Sequence, residues 1–177
     1  MARLKPLPAV WLVSDARNDA ALETALARLP RGSGFIFRHF HLPPAQRRAR
    51  FAALARIARG RDHVVALGGS RAEARVWRAD LAYGPGGDLV PVHSLRELAR
   101  ARKAAAVLLS PAFATRSHPG AKPLGPLRFR LLALRAKVPV IALGGMNART
   151  AQRLNWPRWA GIDAFCAKAT PPICKDS

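Results

Sequence analysis

The chain reads as an α/β protein of the compact (β/α)8, TIM-type barrel class. Apolar runs of four to eight residues alternate with helical stretches along its length, the pattern of strand–helix units around a parallel sheet. Eight such runs fit into 177 residues. The seventh, VPVIALGGMN (Val138 to Asn147), passes from a largely β-branched strand straight into Gly144-Gly145 and a helix start. Glycines let backbone N–H groups approach a ligand, and a helix start adds unpaired donors, so this turn points to phosphate chemistry. It also reads as a tight, close-packed turn.

The elements follow in order. Val10 to Ser14 is the first strand and Asn18 to Leu29 the first helix, with Asn18 as cap and Ala21, Leu22, Ala25, Leu26 and Leu29 on one face. Gly34 to Phe40 is the second strand. Pro43-Pro44 then opens a helix from Ala45 to Arg59. His63 to Leu67 is the third strand, closed by Gly68-Gly69, and Ser70 caps a helix to Arg78. Leu81 to Tyr83 and Leu89 to Val92 are the fourth and fifth strands, with almost no room for a helix between them. Ser94 caps Leu95 to Lys103, with Glu97 in the capping-box position. Ala105 to Leu109 is the sixth strand, followed by a long polar loop and a helix from Leu127 to Ala136. Val138 to Leu143 is the seventh strand, Ala148 to Leu154 a helix, and Gly161 to Phe165 the eighth strand. The chain is short for this class, so crossover or terminal helices are expected to be missing. An open doubly wound sheet is the competing topology. No linker divides the chain, and residues 1–177 are expected to form a single domain.

Composition narrows the function classes. At 50% apolar content the chain can build a substantial core. No apolar run reaches the roughly 18 residues of a membrane span, so no membrane partner is expected. The opening MARLKPLPAVWLVSD reads as a first strand, not an export signal. Cys166 and Cys174 form neither a disulfide framework nor a zinc spacing, which suits a reducing cytoplasm. The net charge of +20 comes from arginines spread over every predicted helix. Such a spread reads as a solvated face, and nucleic acid is not the expected main partner. The same field attracts phosphorylated small molecules. Self-association is left open.

Three segments resemble the thiamine phosphate synthase/TenI family: VWLVSD, its opening strand with a terminal Asp; LLSPAFATRSHPGAKPLGP, its sixth-strand phosphate loop; and VPVIALGGMN with WAGIDAF, its paired phosphate-binding strand ends. The resemblance spans Val10 to Phe165 and is strongest from Val92 onward. It implies joining a pyrimidine methyl pyrophosphate to a thiazole phosphate, with magnesium and basic side chains stabilising the departing pyrophosphate. It also implies site residues. Gly144 and Gly145 would cradle the thiazole phosphate, with Asn147 at the helix start beside them. Thr115 and Ser117 would contact phosphate or pyrophosphate, and Arg38 and His118 would act on the leaving charge. Asp80 and Asp88 are the candidate magnesium ligands. His93, at the end of the fifth strand, reads more as a capping or packing group.

The sequence departs from the family pattern at several points. The family's Q-x-R-x-K motif reads Ile36, Arg38, Phe40, and its Asn-Asp pair after the third strand is Gly68-Gly69. The lysine after the hydroxyl pair is His118, and the eighth-strand serine is Asp163. The histidine that the resemblance implies for tautomerisation, in the sixth-strand turn, is Pro111. Three readings follow: a divergent synthase, a TenI-like thiazole phosphate tautomerase or non-catalytic binder, and a basic barrel associated with nucleic acid.

Overall fold

The computed structural model describes residues 6–115, 120 and 122–166. Eight parallel strands close into one ring in the order β1 to β8: Val10–Val13, Gly34–Phe37, Val64–Gly68, Leu81–Tyr83, Leu89–Val92, Ala106–Leu109, Val140–Ala142 and Trp159–Gly161. The ring is closed by β1 pairing with β8, Leu12 opposite Gly161. That pairing decides against the open sheet. Among the described residues, six α-helices cover the outside: α1 Leu22–Arg28, α2 Pro44–Arg59, α3 Arg71–Val76, α4 Leu95–Arg100, α5 Gly125–Ala133 and α6 Ala148–Leu154. As expected, β4 reaches β5 without a helix. The stretch that would carry a helix after β8 lies largely outside the described residues.

Strand alternation sorts the core into an inner and an outer part. Trp11, Val13, Ile36, Ala66, Leu108, Ile141 and Ala160 point into the ring. Leu12, Phe35, Phe37, Val65 and Leu67 face the helices on one side, and Val107, Leu109, Val140 and Ala142 face them on the other. Short strands leave little interior volume, and one indole fills much of it. Trp11 lies so close to Gly34 that a Cβ there would sit 2.1 Å from its ring. Ala66, Ala106 and Ala160, small neighbours at inward positions, complete the fit.

Several element boundaries differ from the sequence reading, and four of the differences bear on the rim or the core. β2 ends at Phe37 because His39 turns the chain with φ 35°, and the Arg38 amide leaves the ladder for the Ser14 hydroxyl. A short 3-10 helix, Ala16–Ala21, precedes α1, and Asp15 caps it. Asn18 is instead buried, and its side-chain amide donates to the carbonyls of Val13 and Ile162, tying the tops of β1 and β8 together. α5 starts earlier than expected, at Gly125 with Pro126 in its first turn. β8 is Trp159–Gly161 and not Gly161 to Phe165, because Ala160 is the fully buried inward residue while Trp159 stacks outside on Phe165. Asp163 therefore lies past the strand.

The Trp11–Gly34 contact sets a stability test. Gly34→Ala forces the indole out of its place, and overpacking of this kind costs about 1–3 kcal/mol. The urea unfolding midpoint should fall accordingly with an unchanged slope.

Candidate active site

Inward alternation carried past the strand ends defines the mouth of the barrel at its C-terminal rim, where sites on this architecture form. On one side of the rim a cleft of about 150 Å³ is lined by Ser14, Asp15, Ala16, Arg38, His39, Phe40 and His41. Arg38 continues the inward parity of Ile36, and its charge acts on both the Asp15 carboxylate and the Tyr83 phenol. Its guanidinium is thus near enough to both groups for their charges to interact. Burial raises the Tyr83 phenol above its ordinary value, and Arg38 offsets part of that rise.

Beneath this cleft runs a chain of hydrogen bonds. The Arg38 N–H donates to Ser14 Oγ at 2.8 Å, and Ser14 Oγ lies 2.8 Å from His39 Nδ1. His39 Nε2 lies 2.8 Å from Asp19 Oδ1, which also accepts from Arg50 Nε at 2.8 Å. Arg50 reaches on to Glu23. The neutral Nε2–H tautomer of His39 satisfies both ring contacts, donating to Asp19 and accepting from the Ser14 hydroxyl. Burial pushes the His39 imidazole below its ordinary range and outweighs the pull of Asp19 in the other direction. Burial alone would raise the Asp19 carboxyl, but hydrogen bonds from Arg50 and His39 hold it low. Asp15 behaves similarly: burial is opposed and outweighed by Arg17.

A second anchor holds the same segment. Arg47, almost wholly buried on α2, donates from Nε to the Arg38 carbonyl at 3.0 Å and from its terminal nitrogens to the Gly68 carbonyl and Glu73. Its guanidinium stacks over Phe40 and Trp77. Phe40, where the family motif has lysine, is 63% exposed at the rim.

Around the rim, three strands from β2 through β1 and β8, lies the turn after β7. Gly144 and Gly145 have φ of 92° and 63°, which side chains rarely adopt. They pack against the loop after β6. A Cβ on Gly145 would lie 2.4 Å from the Ala114 carbonyl oxygen, and one on Gly144 2.7 Å from Pro111 Cα. The Gly144 carbonyl accepts from Phe113 N–H, while no described group accepts from the N–H of Gly144 or Gly145. The turn is therefore close-packed and still offers two amides. Asn147 caps α6 in a reciprocal box with Thr150, which commits its side-chain oxygen to the Thr150 amide. Thr115 is half-buried in the loop after β6. Ser117 and His118 lie outside the described residues.

The remaining expected positions fall elsewhere. Asp80 precedes β4, at the opposite end of the barrel from the mouth, and accepts from Val65 N–H. Asp88 precedes β5, accepts from Ala82 N–H and pairs with Arg71 at 3.0 Å. Among the described residues no three His, Cys, Asp or Glu groups converge as a metal site. The described residues thus do not fit the magnesium that the resemblance implies. Exposed His93 is tied to Glu97 at the start of α4. Asp163 stands 58% exposed with Arg17 4.0 Å away, so its charge is largely left to water. Sequence reasoning missed the Ser14–His39–Asp19–Arg50 chain, for which no local signal exists. It also missed Tyr83, which alternation along Leu81 to Tyr83 could have placed inward.

Residues 90–167 match the family model described as thiamine monophosphate synthase. Over this segment the chain is similar to the thiamine monophosphate synthase/TenI family. Among solved structures, the chain is similar to thiamine phosphate pyrophosphorylase from Pyrococcus furiosus, with TM-score 0.70 and 21% identity, over 88% of this chain and 85% of that one. It is also similar to the enoyl reductase domain of MlnA from the macrolactin biosynthesis cluster of Bacillus amyloliquefaciens. There the TM-score is 0.53 at 9% identity, over 86% of this chain and 53% of that one. At these identities the structural likenesses speak for the barrel fold. No curated protein matches the chain. No helix among the described residues is long and apolar enough to cross a membrane.

The buried imidazoles give a pH test. His39 and His63 are both held below the ordinary value by burial, so the unfolded chain binds more protons than the fold. Their stabilising contribution is complete above about pH 6.5 and is lost as pH falls through that value. The low-held carboxyls of Asp15, Asp19 and Glu23 add a separate loss in the acid range near pH 4. The urea midpoint should drop between about pH 7.5 and 5.5. His39→Asn should flatten that slope.

Proposed function

We propose that this protein is a thiamine phosphate synthase-like transferase. It joins hydroxymethylpyrimidine pyrophosphate to thiazole phosphate in the cytoplasm, on a single barrel domain with a divergent site. One observation supports the reading: Arg38 lines the cleft by β2, and on the far side of the rim the Gly144 and Gly145 amides after β7 have no acceptor among the described residues, which would give two positions for anions. Two phosphorylated substrates need two such positions, whereas a single-substrate rearrangement needs one.

In this reading the two glycine amides hold the thiazole monoester, with Thr115, Ser117 and Asn147 around it. Backbone donors suit a dianion because they carry partial positive charge and are fixed in direction by the turn. Arg38, with His118, receives the pyrophosphate. The bond between the pyrimidine methylene carbon and the pyrophosphate oxygen breaks, Arg38 stabilises the charge on the departing group, and the thiazole nitrogen forms the new C–N bond. No protein nucleophile takes part. The net charge of +20 favours capture of both polyanions.

A TenI-like role, binding thiazole phosphate with or without isomerising it, is the second reading. The lack of a converging metal-ligand set among the described residues favours it. Arg38→Gln is the informative variant, because any side chain at Gly144 or Gly145 collides with the neighbouring loop. With both substrates supplied, the wild type should release pyrophosphate, and Arg38→Gln should lower kcat/KM by about 10²–10³. Thiazole phosphate affinity should stay within about twofold, since the monoester sits on uncharged amides three strands away. Tight thiazole phosphate binding with no pyrophosphate release would select the second reading.

A further inference from the structure

The Arg38 peptide sits just past the end of β2, where no strand neighbour is left to hold it, yet both of its hydrogen-bonding groups are fastened by side chains. Its N–H goes to Ser14 and its carbonyl accepts from Arg47. Ser14 is fully buried and His39 almost so, and the two are linked at 2.8 Å. Behind them stand Asp19, Arg50 and Glu23, each tied to the next. Behind Arg47 stands Glu73 at 2.9 Å. His39 holds φ 35°, a left-handed conformation that the surrounding contacts must maintain.

Ser14, His39 and Asp19 have the connectivity of a nucleophile, a base and an orienting carboxylate. Their burial argues against that use. The Ser14 oxygen is sealed from solvent and already accepts the Arg38 N–H, so no electrophilic carbon can reach it. What the chain of bonds does reach is the backbone of the cation at the mouth.

We propose that Ser14, His39 and Asp19 are positioning residues that, opposite the Arg47–Glu73 pair, clamp the Arg38 peptide and so aim its guanidinium across the mouth for a pyrophosphate group. A long, flexible side chain gains anion affinity when its root is immobile, because less freedom is lost on binding. The clamp supplies that immobility where the strand ends. This inference rests on the reading of Arg38 as the pyrophosphate contact.

The test is an NMR titration of 15N-labelled protein with inorganic pyrophosphate, followed at Arg38 Nε–H, and separately with thiazole phosphate, followed at the Gly144 and Gly145 amides. The variants are His39→Asn, which tolerates the left-handed turn, Asp19→Asn at the half-buried outer end of the relay, and Arg38→Gln. His39→Asn is expected to raise the pyrophosphate Kd by about tenfold, the scale of one lost charge-assisted contact. Asp19→Asn should do so less, and thiazole phosphate binding should be unchanged. The double variant His39→Asn/Arg38→Gln should bind pyrophosphate no worse than Arg38→Gln alone. Wild-type pyrophosphate affinity in both His39→Asn and Asp19→Asn, alongside its loss in Arg38→Gln, would overturn the clamp and leave Arg38 as the contact. Equal weakening at the glycine amides would overturn it as well, by marking a general loosening of the fold. A wild-type protein whose Arg38 resonance ignores pyrophosphate would remove the underlying reading, and the clamp with it.

Discussion

Closing eight very short strands into a ring leaves an interior with room for little more than alternate side chains from each strand, and the rest of the molecule is arranged around that limit. Trp11 occupies the space that Gly34 leaves empty, and alanines at Ala66, Ala106 and Ala160 keep neighbouring strands close. Interiors this tightly filled tolerate little change in volume. The helices then have only one task, to cover Phe35, Phe37, Leu67 and their counterparts on the outer face of the ring. Dropping the crossover helix between β4 and β5 is tolerated because Asp88 bonds directly back to Ala82 and the strands stay in register.

Short strands also mean that the rim lies only one or two residues beyond the ladder, so side chains must take over from backbone pairing. Asn18 bridges the tops of β1 and β8, Ser14 and Arg47 hold Arg38, and Arg47 also fastens Gly68. Buried polar networks of this kind are favourable only when every member is satisfied. Here each cation has a carboxylate or carbonyl behind it: Arg50 has Asp19 and Glu23, and Arg47 has Glu73. The scarce acidic residues are therefore largely spent in structural pairs on the barrel wall. That explains both the excess positive charge elsewhere on the surface and the lack of a carboxylate cluster among the described residues at the mouth.

In the proposed reading, the two sides of the mouth use different chemistry for the same kind of ligand. The turn after β7 offers backbone amides, held open by glycine conformations and by close packing on Pro111, Phe113 and Ala114. The β1–β2 side offers a single guanidinium beside the exposed ring of Phe40. In that reading, Ile36 and Phe40 in place of the glutamine and lysine of the resembled motif leave the work of that side to Arg38, whose orientation would depend on the groups that fix its backbone.

Periodicity in the chain determined the strand–helix alternation, the missing helix after β4 and the glycine turn after β7, because each is a local matter of apolar spacing and turn chemistry. The family resemblance was legible as well, carried by contiguous motif segments and not by periodicity. Tertiary structure alone decided closure into a ring, the end of β2 at Phe37, the shift of β8 to Trp159–Gly161, and the placement of Asp80 and Asp88 away from the mouth. These depend on partners far apart in the chain. His39 meets Ser14 across 25 residues and Asn18 meets Ile162 across 144, and no local pattern encodes which buried polar group will find which.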